Sequence, residues 1–247
     1  MARRLTLVFD TDGTLLDARA AIVDAVAEGL AETYRHFGLP QPPASAREHI
    51  AGAIGLPATA YFRAACPPGT VPAELLDRFL AEFEVRSTRC EVAALRRGGT
   101  RLFPGVEATL AALGERGHAL CLMSNAGAAY FDAVVAAHGL ARWFRRTLSL
   151  EEAARRRLAR DKAGMVRHLL ADERPGGGEP SGVVVGDRAH DVDAGRAAGA
   201  LTVGCTWGFA AVGELQGADW SIDALPDLLQ LPFAAPGGAG REVVAPE

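Results

Sequence analysis

The sequence predicts an α/β fold, a Rossmann-like core with a parallel sheet into which a helical cap is inserted. Short, continuous apolar runs recur along the chain and end in polar residues, as strands buried on both faces of a parallel sheet do. Amphipathic helical patterns alternate with these runs, which indicates right-handed βαβ units. One long stretch, residues 17–100, shows helical patterns only and interrupts the alternation.

Six apolar runs are the candidate strands of the core. The first, residues 5–9, is followed directly by Asp10, and the others end in or near small polar residues. The remaining strong runs are 118–123, 182–185 and 201–205, and the weaker ones are 147–150 and 219–222. Because open α/β sheets bind ligands outside the carboxyl ends of their strands, the polar residues there are candidate functional residues.

The helical patterns set the predicted domain boundaries. Residues 1–16 and 101–232 are expected to form the core, and residues 17–100 the cap. Residues 174–182 are expected to form a surface loop. The tail, residues 233–247, is rich in Ala, Gly and Pro and is expected to be disordered.

Within the cap, two apolar stripes at helical spacing predict long helices, and loop-like Gly and Pro residues separate them. Residues 52–57 are the candidate specificity loop, flanked by Arg47, His49 and Arg63. These three residues have an equally plain alternative as solvated helix residues. Asp17 is expected to cap the first helix of the cap.

Composition excludes several classes of protein. A net charge of −4 and a pI of about 5.9 argue against a general nucleic-acid or anionic-membrane surface. No window approaches the ~20 apolar residues of a membrane span, so the cytoplasm is the expected location. The four cysteines form no CxxC pair and are expected to be structural, at positions Cys66, Cys90, Cys121 and Cys205.

Lys162 is the only lysine in the chain, since 25 of the 26 basic residues are arginine. A composition so poor in lysine suggests that chemistry retains this one. Asp10 and Asp12 follow the first strand, and Asp187 and Asp191 follow the 182–185 run. If the runs are neighbouring strands, all four carboxylates converge on one crevice.

Several carboxylates cannot remain ionised together without a compensating cation. Hard oxygen ligands beside a phosphate favour Mg²⁺, and Lys162 would add a fixed positive charge. Ser124 offers a hydroxyl, and the helix start after it offers backbone N–H groups, for phosphate oxygens. Each residue alone could merely cap a helix, but the whole set in this order predicts a phosphoryl-transfer site.

The chain resembles the haloacid dehalogenase superfamily of phosphohydrolases over nearly its whole length. Residues 10–14, Asp-Thr-Asp-Gly-Thr, match the first family motif, Ser124 the second, Lys162 the third, and Gly186-Asp187 with Asp191 the fourth. The spacing is that of members with a helical cap after the first motif. Residues 102–106 and 199–203 are typical of phosphoglycolate-phosphatase-like members. The third motif departs from the frequent Lys-Pro, because Ala163 follows Lys162.

The resemblance implies a role for each motif residue. Asp10 would be the nucleophile and Asp12 the general acid and base. The phosphoryl oxygens would be held by Thr14, Ser124, Asn125 and Lys162. The metal ligands would be Asp10, Asp12 through its backbone carbonyl, and Asp187, with Asp191 in support. For Arg188 and His190 we expect no more than a loop or salt-bridging role.

The function expected from this resemblance is Mg²⁺-dependent hydrolysis of a small phosphate monoester through an aspartyl-phosphate. Phosphoglycolate is the first candidate substrate, followed by sugar phosphates and nucleoside monophosphates. A phosphomutase remains an alternative, disfavoured because the cap has no lysine for a second phosphate, and a non-catalytic regulatory module is a further one. The expected partner is a small phosphorylated metabolite, not nucleic acid or membrane, and a monomer or a homodimer stays open.

Overall fold

A computed structural model describes residues 4–171 and 182–234 of the chain. Six strands form one sheet in the order β5-β4-β1-β6-β7-β8, and every neighbouring pair is parallel. The strands are β1 Thr6–Phe9, β4 Ala119–Ser124, β5 Arg146–Ser149, β6 Gly182–Gly186, β7 Leu201–Cys205 and β8 Trp220–Ile222. The predicted α/β class with a parallel sheet is therefore confirmed.

The central strands are buried on both faces, which explains their continuous apolar sequences. All four residues of β1 and all five of β6 are buried. Alternate side chains enter two separate apolar clusters, so that Leu7 and Phe9 pack on one face of the sheet and Val8 on the other. The register pairs Phe9 with Leu122 and with Val185, which brings the carboxyl ends of β1, β4 and β6 to one edge.

Five helices cover the two faces of this sheet. They are α5 Val106–Glu115, α6 Ala128–Ala137, α7 Leu150–Arg155, α8 Lys162–Ala171 and α9 Ala189–Ala197. Leu150 was expected at the end of a strand and instead begins α7. The reason is local, because the Ser149 hydroxyl accepts a hydrogen bond from the Glu152 N–H at 3.2 Å and caps the helix.

Residues between the first and second core strands of the chain form a separate helical layer. Its helices are α1 Arg19–His36, α2 Ala46–Ala53, α3 Ala58–Ala65 and α4 Leu76–Arg96. Edge-on aromatic pairs fill its interior: the ring centroids of Tyr34 and Phe79 are 5.2 Å apart, as are those of Phe62 and Phe83. Among the described residues, none of the helices combines the length and apolar composition that a bilayer crossing requires.

A short antiparallel ribbon joins this layer to the core. It consists of β2 Leu16–Asp17 and β3 Arg101–Leu102. Asp17 is a strand residue, and its carboxylate pairs with Arg101 at 2.9 Å. The prediction that Asp17 caps a helix is wrong, because Ala18 occupies the position before α1. The Asp17 carboxylate is thus engaged across the ribbon and not with a helix N–H group.

The tail begins later than the sequence predicts. Ala234 is buried, and the ring of Phe233 lies 5.5 Å from that of Trp220 between centroids. The prediction of disorder is therefore wrong for these two residues, because burying an aromatic ring offsets the entropy of ordering them. The remainder of the predicted tail, residues 235–247, lies outside the described residues, as do residues 174–181 of the predicted surface loop. All four cysteines are buried free thiols.

Gly29 should be required where α1 crosses α4. A Cβ atom at Gly29 would lie 2.6 Å from the Cα atom of Ser87, so the two helices would have to separate. We expect Gly29→Ala to lower the free energy of unfolding by about 1–3 kcal/mol, because overpacking a tight contact forces the backbone to shift. Thermal or denaturant unfolding measures the change.

Gly114→Ala is the matched control, because Gly114 also lies in a helix but no heavy atom is within 4 Å of its added Cβ. This substitution should be neutral or stabilise the protein by up to about 1 kcal/mol through helix propensity. Equal unfolding curves for the two variants would show that the α1–α4 contact does not need glycine.

Candidate active site

The candidate site lies at the carboxyl ends of β1, β4 and β6. Asp10 directly follows β1, and its N–H donates to the Val185 carbonyl of β6 at 2.9 Å. Ser124 ends β4, Asp187 follows β6, and Lys162 is the first residue of α8. The parallel register therefore brings together side chains that are far apart in the sequence.

Lys162 joins two of the aspartates through buried ion pairs. Its Nζ lies 2.6 Å from Asp10 Oδ1 and 2.5 Å from Asp191 Oδ1, and all three residues are buried. Burial alone would lower the pKa of the Lys162 ammonium, but the two carboxylates outweigh it and the pKa is raised. Burial raises the pKa of Asp10 well above its usual value, although Lys162 opposes the shift. The ammonium is thus a permanent charge at this site.

Asp187 is held from two sides. The Thr14 hydroxyl donates to its Oδ1 at 3.1 Å, and the Phe209 N–H donates to its Oδ2 at 2.6 Å. Burial, followed by the neighbouring Asp191, raises the pKa of Asp187 to about 7. Gly13 leaves the necessary space, because its φ is +86° and a Cβ would lie 2.2 Å from the Asp187 carboxylate.

Asp10, Asp187 and Asp191 form a buried group that could hold a divalent cation. One carboxylate oxygen from each lies within 4.8 Å of the others. Lys162 supplies one positive charge to these three carboxylates, so a divalent cation would balance their remaining charge. A donor set of carboxylate oxygens fits Mg²⁺. The Asp191 carboxylate belongs to this group, and it also accepts a hydrogen bond from the Arg188 N–H at 3.0 Å.

Asp12 lies beside this group and faces the cavity between core and cap. Its Oδ1 accepts a hydrogen bond from the Tyr130 hydroxyl at 2.7 Å. Burial raises the pKa of Asp12 to about 6, although Tyr130 and Lys162 oppose the shift. A carboxyl group with such a pKa can both release and accept a proton near neutral pH.

The expected phosphate-binding residues differ in what their side chains contact. Ser124 is buried and lines the cavity with Lys162, while its Oγ accepts from the Ala126 N–H at 3.1 Å. Asn125 also lines the cavity, but its side-chain amide donates to the Gly55 carbonyl of the cap at 2.9 Å. The Thr14 hydroxyl is directed to Asp187, as described above.

The candidate specificity loop, residues 52–57, is held against the core. Besides the Asn125 contact with Gly55, the guanidinium of Arg188 donates to the Ile54 carbonyl at 2.7 Å. Arg188 is itself fixed by Glu214 of the core, with Nε 2.7 Å from Oε1. The salt-bridging alternative for Arg188 therefore fits, and the residue also links core to cap. His190 lies next to Gly55, and burial lowers its pKa to about 4.

Arg47 and Arg63, which flank the predicted specificity loop, lie away from the cavity. Arg47 pairs with Asp24 and Arg63 with Asp77, and all four side chains are largely exposed. Their plain alternative as solvated surface residues is the one that fits the structure. Cap residues other than Arg47 and Arg63 therefore line the cavity.

A cavity of about 70 Å³ separates the cap from the motif residues. Five polar residues in its wall were missed by the sequence analysis: Tyr61, Glu84, Thr88, Glu91 and Tyr130. Glu91 is 8% exposed, and burial, followed by the charge of Asp12, raises its pKa to about 8. A signal for Glu91 existed, since it continues the four-residue spacing of Phe79, Phe83 and Ser87 along the buried stripe of α4.

Comparisons with known proteins identify the family and agree with this fold. The sequence pattern of haloacid dehalogenase-like hydrolases matches residues 5–199. A phosphoglycolate phosphatase from Synechococcus elongatus is 30% identical over 227 residues, which are 91% of this chain and 95% of that protein. A probable phosphatase, IndB, from Dickeya dadantii is 28% identical over 86% of each chain.

Solved structures share the fold. The crystal structure of a predicted phosphoglycolate phosphatase from Haemophilus somnus superposes with a TM-score of 0.75 at 21% identity, covering 93% of this chain and 98% of that one. The chain belongs to the haloacid dehalogenase-like hydrolase family. The predicted family and enzyme class are therefore confirmed, and the protein is a hydrolase related to phosphatases.

The contact between Arg188 and Ile54 should hold the cap closed. We expect Arg188→Met to increase amide hydrogen exchange in residues 54–58 by roughly tenfold or more, because a hydrogen bond from a charged group contributes about 1.5–3 kcal/mol. Arg167→Met is the control, since Arg167 also donates to a backbone carbonyl, that of Ala197, but within the core. Unchanged exchange in the Arg188 variant would show that this contact does not restrain the loop.

Glu91 should make stability fall as pH rises. The folded protein retains the Glu91 proton up to a pKa of about 8, whereas the unfolded chain releases it near 4.5. Between these values the folded state binds more protons, so the free energy of unfolding decreases with pH and levels off above about pH 8. We expect Glu91→Gln to remove this decrease, a relative gain on the order of a few kcal/mol at pH 8.5 compared with pH 5.

Denaturant unfolding at pH 5 and pH 8.5, without added metal, measures this difference for wild type and variant. Glu74→Gln is the control, because Glu74 lies exposed on the cap. A Glu91→Gln protein that loses as much stability with pH as wild type would contradict the burial of a protonated Glu91.

Proposed function

We propose that this protein hydrolyses a small phosphate monoester with Mg²⁺ through an aspartyl-phosphate on Asp10. One observation carries the proposal: the Asp10 carboxylate lies 2.6 Å from the Lys162 ammonium and lines one cavity with Asp12. A nucleophile, a fixed cation and a proton-transfer group in one cavity are the elements that phosphoryl transfer needs.

In the first step, a carboxylate oxygen of Asp10 attacks phosphorus, and the bond from phosphorus to the ester oxygen breaks. Asp12 gives its proton to that leaving oxygen, so the alcohol departs neutral. The pKa of Asp12, raised by burial to about 6, supports this role. Lys162 and Ser124 would hold the phosphoryl oxygens, and Lys162 would offset their negative charge.

In the second step, water attacks the phosphorus of the aspartyl-phosphate. Asp12, now ionised, accepts a proton from that water, and the bond between phosphorus and the Asp10 oxygen breaks. Inorganic phosphate leaves, and both aspartates return to their starting states. The Tyr130 hydroxyl, 2.7 Å from Asp12 Oδ1, would orient the carboxyl for both transfers.

Asp10 and Asp187, with the backbone carbonyl of Asp12, would hold Mg²⁺, and Asp191 would support it. When bound, Mg²⁺ supplies positive charge that stabilises the phosphoryl oxygens and the neighbouring carboxylates. Thr14 and the Phe209 N–H would keep Asp187 oriented for this purpose.

Phosphoglycolate is the first ester to test, because relatives about 30% identical to this chain are named phosphoglycolate phosphatases. Sugar phosphates and nucleoside monophosphates follow. We place the reaction in the cytoplasm, with a small phosphorylated metabolite as the only partner.

Asp10→Asn should abolish the activity. We expect phosphate release to fall by roughly three orders of magnitude or more, because the nucleophile is lost while the amide preserves the shape of the site. The measurement is phosphate release from a panel of esters that includes p-nitrophenyl phosphate, with Mg²⁺ or with EDTA. Wild-type release should require the metal.

Asp132→Asn is the control, since Asp132 is an exposed residue of α6. It should behave as wild type. Substantial turnover by a folded Asp10→Asn protein would exclude Asp10 as the nucleophile, and isomerised sugar phosphate without free phosphate would favour a phosphomutase.

A further inference from the structure

The cap side of the cavity is acidic and aromatic. Glu91 lies in its wall and is 8% exposed, and its carboxyl group has no hydrogen bond or ion pair within the part of the chain that the structure describes. Glu84, on the same helix, also contributes to the wall. The rings of Tyr61 and Phe62 border the same space, with centroids 5.0 Å apart. The described lining therefore presents two carboxyl groups and aromatic faces to whatever fills it.

The cations in this lining are already engaged. Lys162 pairs with Asp10 and Asp191. Arg188 pairs with Glu214 and donates to a cap carbonyl. His190 belongs to the core side of the cavity and lies against Gly55 of the cap loop. No other Lys, Arg or His belongs to the described lining. Nothing on the cap side would therefore balance a negatively charged group.

Glu91 lies close to the expected position of the leaving group. Asp12, Tyr61 and Glu91 line the same cavity. Tyr130, which donates a hydrogen bond to Asp12, belongs to this lining as well. Because Asp12 would protonate the leaving oxygen in the proposed reaction, the group attached to that oxygen would extend toward Glu91.

A buried carboxyl group without a partner is costly, and a cation brought by the ligand would remove that cost. The phenol oxygen of Tyr61 is also buried without a hydrogen-bond partner among the described residues, and it could accept from the same cation. Aromatic faces attract ammonium groups further. An ammonium group beside Glu91 would favour its ionised form and pair with it, whereas a carboxylate would find no Lys or Arg on the described cap side of the cavity.

We propose that the substrate is the phosphate monoester of a short amino alcohol, whose ammonium group pairs with Glu91. This inference rests on the proposed phosphatase function and names the substrate class of the same site. Glu91 and Asp12 line one cavity, so a short leaving group on the oxygen beside Asp12 would reach Glu91. Glu91 is then a specificity residue that contacts the substrate, and Tyr61 is a second acceptor for the ammonium group.

Three esters with two-carbon leaving groups test the charge preference directly. They are O-phosphoethanolamine, 2-hydroxyethyl phosphate and phosphoglycolate, which differ in the end group: ammonium, hydroxyl or carboxylate. We expect kcat/KM of the wild-type enzyme to decrease in that order, with about tenfold or more between the first and the last. A preference for phosphoglycolate, or for the hydroxyl ester, would overturn the inference.

Glu91→Gln tests the residue. We expect its kcat/KM for O-phosphoethanolamine to fall about tenfold or more, while that for phosphoglycolate stays the same or rises. Glu74→Gln, at an exposed cap position, should leave all three values unchanged. An equal fall for all three esters in Glu91→Gln would assign Glu91 a structural role and overturn the inference. The wild-type series decides the charge preference even if this variant does not fold.

Two further measurements separate this inference from the proposed function. Hydrolysis of p-nitrophenyl phosphate that depends on Asp10 and Mg²⁺, without a preference for the ammonium ester, would leave the phosphatase intact and reject the amino-alcohol class. If no ester is hydrolysed, the proposed function fails. Calorimetric titration of the Asp10→Asn protein with O-phosphoethanolamine and phosphoglycolate then shows whether the cavity still selects the ammonium group. Tighter binding of phosphoglycolate would reject the amino-alcohol class.

Discussion

The ion pairs of Lys162 are the interaction on which the rest of this structure depends. One ammonium group at the start of α8 lies within 2.6 Å of Asp10 and 2.5 Å of Asp191, in an interior where isolated charges are costly. These pairs connect the end of β1 to the start of two helices, so the sheet order and the placement of α8 and α9 are both needed to form them. Lys162 supplies one positive charge to the three carboxylates of Asp10, Asp187 and Asp191. A divalent cation beside Asp187 would balance the rest.

The cap forms the side of the cavity opposite the Lys162 ion pairs. Its interior is built from aromatic contacts, and its loop is tied to the core by Arg188 and Asn125. Closing the cavity removes water from Asp12 and Glu91, and this desolvation is the main cause of their raised pKa values. In the proposed reaction, the cap would shield the phosphoryl intermediate from bulk water and, through Glu91, would select the charge of the leaving group.

Much of the fold could be predicted because the signals are local. Buried parallel strands are continuous apolar runs, and even the weak runs near residues 147 and 220 proved to be sheet strands. The prediction for Asp17 was wrong because its partner, Arg101, lies 84 residues away across a ribbon that no local pattern reveals. The tail prediction was wrong for Phe233 and Ala234 because composition does not report a single well-packed aromatic contact.

The sequence by itself determined the α/β class, the insertion of a helical layer, the family, and the set of motif residues that meet at one sheet edge. These follow from hydrophobic periodicity and from residue types that only a few chemistries use together. The tertiary structure decided that Asn125 and Arg188 hold the cap loop, that Thr14 supports Asp187, and that Glu91 lines the cavity without a partner among the described residues. The physical reason is that burial, charge pairing and desolvation depend on distances between elements, which spacing along the chain does not encode.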